Sequence, residues 1–141
     1  MDYIIRLADN TRPATLKLLR RLHSECLPYD KLPNFTEGFW WIAYHGDDAV
    51  GFAGMVRSAR WIDAGYMNRA GVVPDHRGHG LQKRLIRVRM RYAKRIGWRW
   101  LITDTTENPP SANSLIGCGF RAYDPANPWG GRTTTYWRRA L

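Results

Sequence analysis

The chain has 141 residues, a length that suits one domain with a real core over residues 1–141. At 44% hydrophobic and 13% aromatic it is too rich in apolar groups for a disordered chain, and no apolar run nears the roughly 20 residues that cross a bilayer. Its 22 Lys and Arg against 12 Asp and Glu leave a net charge of +10, which predicts attraction to a phosphorylated cofactor, a nucleic acid or an acidic protein surface.

The first residues, Met1-Asp2-Tyr3-Ile4-Ile5-Arg6, lack the basic-then-apolar layout of a signal peptide, so a cytoplasmic protein without membrane association is expected. Cys26 and Cys118 are far apart and have no metal-ligand spacing, which fits free structural thiols. Residues 3–8 read as a strand. Asp9, Asn10 and Thr11 offer helix caps, and Pro13 is tolerated in a first turn. Leu16, Leu19, Leu22 and Cys26 then recur at helical spacing, and the helix ends near Pro28. Residues 28–38, with two prolines, read as a loop or one short helical turn. Residues 39–44, 49–56 and 65–73 read as three strands of an antiparallel meander.

Residues 72–82 read Val-Val-Pro-Asp-His-Arg-Gly-His-Gly-Leu-Gln. An apolar run ends at Pro74, a turn with two glycines follows, and a helix-prone segment runs over 81–96. Strand, glycine turn and helix start together make a phosphate site. The first N–H groups of a helix have no intrahelical partner, and the dipole favours an anion there. Gly78 and Gly80 permit close approach and positive φ, and Arg77 adds a forked cation. The Rossmann spacing fails at Lys83, and the Gly-Lys-Ser/Thr of a P-loop is absent. An ordinary strand-to-helix turn is the plain alternative.

In the helix, Leu81, Leu85, Val88, Tyr92 and Ile96 form one stripe. Lys83, Arg84, Arg87, Arg89, Arg91, Lys94 and Arg95 are all positive, with no acid among them. This basic run at 83–95 reads as a solvated face or as a contact for nucleic acid or an acidic protein. Gly97 stops the helix, and a strand at 98–103 is expected to run parallel to the 65–73 strand because a helix intervenes. Asn108 opens a short helix to about 116, a strand follows at 121–123, a loop at 124–131, and a last strand at 133–138.

Val-x-Pro-x-x-Arg-Gly-x-Gly at 72–80, then helix and strand, then Asn108-x-x-Ser111 leading to Gly119-Phe120, resembles the GNAT N-acetyltransferase superfamily. The resemblance spans essentially the whole chain and is most specific over 71–120. It implies an α/β (α+β) GNAT fold: a mixed, mostly antiparallel sheet of about seven strands, splayed between the fourth and fifth and flanked by about four helices. It implies an acyltransferase that takes acetyl-CoA as co-substrate, uses no metal, and lets an amine acceptor attack directly. The Val72 and Val73 backbone would bind the pantetheine arm, with the Val73 N–H as oxyanion donor. Arg77, Gly78, His79, Gly80, Leu81 and Gln82 would wrap the pyrophosphate. Asn108 would meet the pantetheine arm, and Ser111 sits one turn along the same helix.

Two positions depart from the family pattern. Gln82 stands where Gly or Ala is usual, and Leu115 stands where many members carry a tyrosine general acid. The acid and the general base are therefore unassigned. The fourth strand offers Tyr66 and Asn68 but no carboxylate, and Asp63 precedes it. Asp30, Glu37, Asp104 and Glu107 are further acids that could line a site, and a water chain to bulk serves as well. His76 and His79 lack a third metal ligand and read as exposed loop residues. Phe39, Trp40, Trp41 and Trp129 either wall an acceptor pocket or fill the core, and strand alternation favours the core. Acceptor choice would lie in the 28–41 and 124–132 loops. A protein- or RNA-directed acetyltransferase, and a non-catalytic acyl-CoA-binding or nucleic-acid-binding module, remain as alternatives. A homodimer is compatible with the sequence and not compelled by it.

Overall fold

The structure, a computed structural model, describes residues 2–141. Strand β1 (Ile4–Leu7) leads into helix α1 (Pro13–Cys26), β2 (Phe39–His45) and β3 (Asp48–Arg57). β4 (Ala64–Tyr66) and β5 (Ala70–Val72) follow, then a 3-10 turn at Pro74–His76 and helix α2 (Leu81–Arg95). The chain ends with β6 (Trp100–Thr106), α3 (Pro109–Gly117), β7 (Arg121–Tyr123) and β8 (Thr134–Ala140). The strands make one sheet in the order β1-β2-β3-β4-β6-β8-β7, with β5 on β3 off that path. β4 and β6 are parallel, as the intervening helix requires, and every other pairing is antiparallel.

The aromatic run of β2 serves both faces of the sheet. Successive side chains point to opposite sides. Trp40 and Ile42 pack with Leu19 and Leu22 of α1 and with Phe52. Trp41 and Ala43 join the larger core with Leu81, Leu85 and Ile86 of α2. A fully buried leucine such as Leu19 contributes about 2 kcal/mol in this setting. Trp40 and Trp41 are therefore core residues.

The expected strand over 65–73 is two strands, which makes eight strands instead of about seven. Its middle, Met67-Asn68-Arg69, leaves the ladder. Asn68 Oδ1 accepts the Arg69 N–H at 3.0 Å, a local bond that competes with sheet pairing. β4 still pairs with both β3 and β6, whereas β5 pairs only with β3. The last links to β6 run from Met67 N–H to Ile102 O, 3.0 Å, and from Thr103 Oγ1 to Met67 O, 2.8 Å. Past that point the sheet opens.

Three α-helices form among the described residues, not about four. Residues 27–38 are turns, pinned where Asn34 Oδ1 accepts from Thr36 and where Asn10 Nδ2 donates to Phe35 O. Those bonds also remove the expected caps of α1. Asp9 Oδ1 is taken by Thr11, Asn10 is turned away, and Arg12 occupies the cap without a side-chain bond. β6 extends three residues beyond the expected strand and so carries Asp104. The buried stripe of α2 is Leu81, Leu85, Ile86, Arg89 and Ala93, and Ile96 is 41% exposed. One arginine of the basic run thus lies in the core. No helix among the described residues is long and apolar enough to cross a membrane.

Candidate active site

The gap between β5 and β6 is a slot with an unpaired strand edge along one wall. Val73 donates its N–H to Val50 O at 2.9 Å, and Gly54 donates to Arg69 O at 2.8 Å. In an antiparallel pair the groups facing the partner alternate with groups facing away. Residues 69, 71 and 73 therefore face β3, and Ala70 and Val72 present their N–H and C=O to the slot. The expected oxyanion donor, Val73, is spent on the sheet, and Val73 does not line the slot. The available donors are one residue away on either side of Gly71.

A cavity of about 540 Å³ fills the wider part. Val72, Arg77, Gly78, Gly80, Leu81, Gln82, Asn108 and Ser111 all line it, together with Cys26 from α1. His79 does not. Its ring stands 6.2 Å from that of Tyr3, on the β1 side of the loop. His76 Nδ1 also meets the Tyr3 hydroxyl, at 2.9 Å. Among the described residues, no three His, Cys, Asp or Glu are grouped to hold a metal.

The glycine turn is open in the way a phosphate cradle requires. Gly78 and Gly80 have φ of 82° and 78°, and a Cβ at either would meet no atom within 4 Å. Gly80 caps α2 without a side-chain bond, and the first turn carries no acid. The N–H groups of Gly78, His79, Gly80, Leu81 and Gln82 have no acceptor among the described residues. Arg77 is anchored by Nε to Val72 O at 3.0 Å, which leaves its other donors for a ligand. Across the slot, Asn108 Oδ1 caps α3 by accepting the Ser111 N–H at 3.3 Å. These features fit a diphosphate and an extended amide-bearing arm.

A second cavity of about 250 Å³ continues the slot, sharing Ala70, Gln82, Asn108, Ser111 and Ser114 with the first. Its far wall carries Tyr66 of β4 and Asp104 of β6. Tyr66 donates its hydroxyl to Asp104 Oδ2 at 2.6 Å, and Trp129 Nε1 donates to the same oxygen at 2.9 Å. Asp104 Oδ1 has no donor among the described residues. Burial, then the bond to Asp104, pushes the Tyr66 hydroxyl well above the usual phenol range. Trp129 is wedged edge-on against Tyr136, ring centroids 4.5 Å apart, with the Arg60 guanidinium 4.5 Å over it. The result is a fixed carboxylate with one oxygen free, framed by two aromatic rings. Such a group can attract an ammonium ion and stands as a candidate general base.

Of the acids considered from sequence, Asp104 and Asp30 line this cavity, and Asp63, Glu37 and Glu107 line neither. Leu115 is buried and lines it with no proton to give. Cys26 is the cysteine beside the slot, and burial pushes its thiol up to about 11. Nothing local in the sequence joins residues 66, 104 and 129, so the partnership of Tyr66 and Trp129 with Asp104 is visible only in the fold. Arg89, expected in the basic run, is buried instead, and the spacing of Leu81, Leu85, Arg89 and Ala93 at intervals of four is the signal for it.

The profile of the acetyltransferase (GNAT) family matches residues 8–120. The chain belongs to the GNAT acetyltransferase family. The fold of this GNAT protein is also that of many solved structures. An acetyltransferase of Bacillus subtilis in complex with CoA superposes with a TM-score of 0.78 at 17% identity, covering 99% of each chain. A GNAT acetyltransferase of Elizabethkingia anophelis with acetyl-CoA bound gives 0.77 at 14%, covering 99% of this chain and 98% of that one. The IAA acetyltransferase of Bacillus cereus gives 0.78 at 15%, covering 99% and 100%. At these identities the likeness is one of fold. No curated protein matches by sequence. Family and fold support acyl-CoA-dependent acetyl transfer.

Proposed function

We propose that residues 1–141 form one cytoplasmic domain that moves the acetyl group of acetyl-CoA to an amine by direct attack. The observation that carries this is a single slot with two unlike ends: unpaired backbone N–H groups beside Arg77 at one, a held carboxylate at the other. The loop from Arg77 to Gln82 takes the diphosphate, His79 through its backbone and Gln82 at the helix start. Asn108 and Ser111 flank the pantetheine arm. The N–H groups of Ala70 and Val72 hold that arm and polarise the thioester carbonyl, the part first given to Val73.

Asp104 takes the proton of the incoming ammonium. Tyr66 and Trp129 hold its Oδ2 so that Oδ1 points to the acceptor. The nitrogen then bonds to the carbonyl carbon and the carbon–sulfur bond breaks. A covalent detour through Cys26 is disfavoured, because a thiol titrating near 11 is protonated at neutral pH. One observation supports a macromolecular acceptor, a protein or an RNA. Lys83, Arg84, Arg87, Arg91, Lys94 and Arg95 are all exposed on α2, and Lys83 lines the larger cavity. Calorimetry with acetyl-CoA, followed by CoA release with a panel of amines, tests the main reading. Binding without release from any amine would instead indicate a non-catalytic acyl-CoA module. Salt-dependent retention on RNA or an acidic protein distinguishes the macromolecular acceptor from a small one.

A further inference from the structure

Arg89 belongs by composition to the basic run of α2, yet it is only 3% exposed. Its Nε donates to Leu85 O at 3.0 Å and its Nη1 to Gly54 O at 3.2 Å. Gly54 faces the break between β4 and β5. The Arg69 N–H that would otherwise serve the Gly54 carbonyl is turned to Asn68 Oδ1. Arg89 therefore reaches the place where the sheet opens. No carboxylate pairs with it, since the ion pair among the described residues is Arg21–Glu25. A guanidinium has five N–H donors, and the two bonds to Leu85 and Gly54 leave Nη2 with no protein acceptor. Arg89 lines the smaller cavity with Ala70, Ile86, Thr103 and Leu115. Burial lowers its pKa to about 9, which keeps it charged at neutral pH.

A buried cation without an anion weakens a fold, so its presence beside a reaction slot calls for a use. Besides the carbonyl oxygen, assigned above to the Ala70 and Val72 N–H groups, acetyl transfer leaves a second anion, the sulfur of the departing CoA, and the neighbouring Leu115 offers it no proton. We infer that Arg89 is a catalytic residue that holds the leaving sulfur as a thiolate. The amine nitrogen bonds to the carbonyl carbon, the carbon–sulfur bond breaks, and its electron pair stays on sulfur. Asp104 passes the ammonium proton on to solvent and then takes the second proton, lost by the nitrogen as the amide forms, and Arg89 meets the new charge without giving up a proton. Met67, Ile86 and Leu115 are among the apolar members of a lining that is otherwise mostly polar, and none of them offers the sulfur a proton. The inference rests on the acetyl-CoA reading above.

The test needs no acceptor. CoA labelled with ¹³C at the carbon bearing sulfur is bound to the wild type, to Arg89→Met and to Arg89→Lys, and its thiol is titrated by NMR. Calorimetry measures CoA binding in parallel. A free thiol ionises near 8.5, and on the wild type the bound thiol should ionise about one pH unit or more lower, a tenfold gain in thiolate. In Arg89→Met the shift should vanish while CoA affinity stays within about threefold. In Arg89→Lys part of the shift should return, because the charge is restored without the fork. Melting of Arg89→Met should be unchanged or raised, as an unpaired buried charge has been removed. A wild-type thiol that titrates like free CoA, or an equal shift in Arg89→Met, overturns the inference alone. Failure of the wild type to bind CoA overturns the donor reading with it. If Arg89→Met does not fold, the wild type against free CoA and the Lys variant still decide.

Discussion

The two ends of the slot are made of different material. At the proposed phosphate end the candidate groups are main-chain N–H donors, arranged by two glycines with positive φ and by the first turn of α2. At the proposed acceptor end they are side chains from three separate segments, Tyr66, Asp104 and Trp129, meeting at one carboxylate oxygen. A backbone site depends on conformation, so it tolerates changes of side chain but not of glycine. A side-chain site depends on identity, so single atoms matter. The contrast predicts that damage at one end leaves the other intact.

The largest effect should come from Gly80→Glu, which places bulk and negative charge at the proposed diphosphate site. Acetyl-CoA affinity should fall by about a hundredfold or more, with Gly80→Gln losing less. Calorimetry on both variants reads the difference, and normal binding by Gly80→Glu would break the assignment of the phosphate end. Next is Asp104→Asn, which keeps shape and removes the base. Turnover should drop by about a hundredfold or more while acetyl-CoA affinity is unchanged. A smaller change is expected for Trp129→Leu and Tyr66→Phe, each of which removes one bond to the carboxylate. Each should lower kcat/KM for the acceptor by about tenfold, the range for a hydrogen bond to a charged group. Loss of acetyl-CoA affinity in either would show that the ends are not independent.

His23→Leu should touch neither end. His23 is buried against Phe35 and Phe52 with its Nε2 unpartnered, and burial lowers its pKa below 6.5. The unfolded chain then binds that proton more tightly than the fold does. The stability contributed by the neutral ring is complete above pH 6.5 and is lost as the pH falls below it. A single proton gives a slope of at most about 1.4 kcal/mol per pH unit. Melting curves from neutral to mildly acidic pH should flatten in the variant, with kinetics at neutral pH unaltered.

The same contrast explains what could be read from the sequence. Gly78 and Gly80, Pro74 and the start of α2 sit within a dozen residues, and their conformational demands are local. The loop and most elements were legible for that reason, as was the parallel pairing across α2. The break at Asn68 was not, because a side-chain bond to the next residue overrode an apolar run that reads as continuous strand. That break spends Val73 on β3 and moves the free donors to Ala70 and Val72. The acceptor end was illegible because its members are 38 and 25 residues apart along the chain. Trp129 lies in a loop of Pro and Gly with no periodicity, and only the fold reveals that its indole N–H has a partner.

The most direct test of the two-ended slot is one calorimetric series with acetyl-CoA on the wild type, Asp104→Asn and Gly80→Glu. The account predicts equal binding by the first two and binding weakened by about a hundredfold or more in the third. Absence of binding by the wild type at millimolar acetyl-CoA, or loss of it in Asp104→Asn, would contradict it.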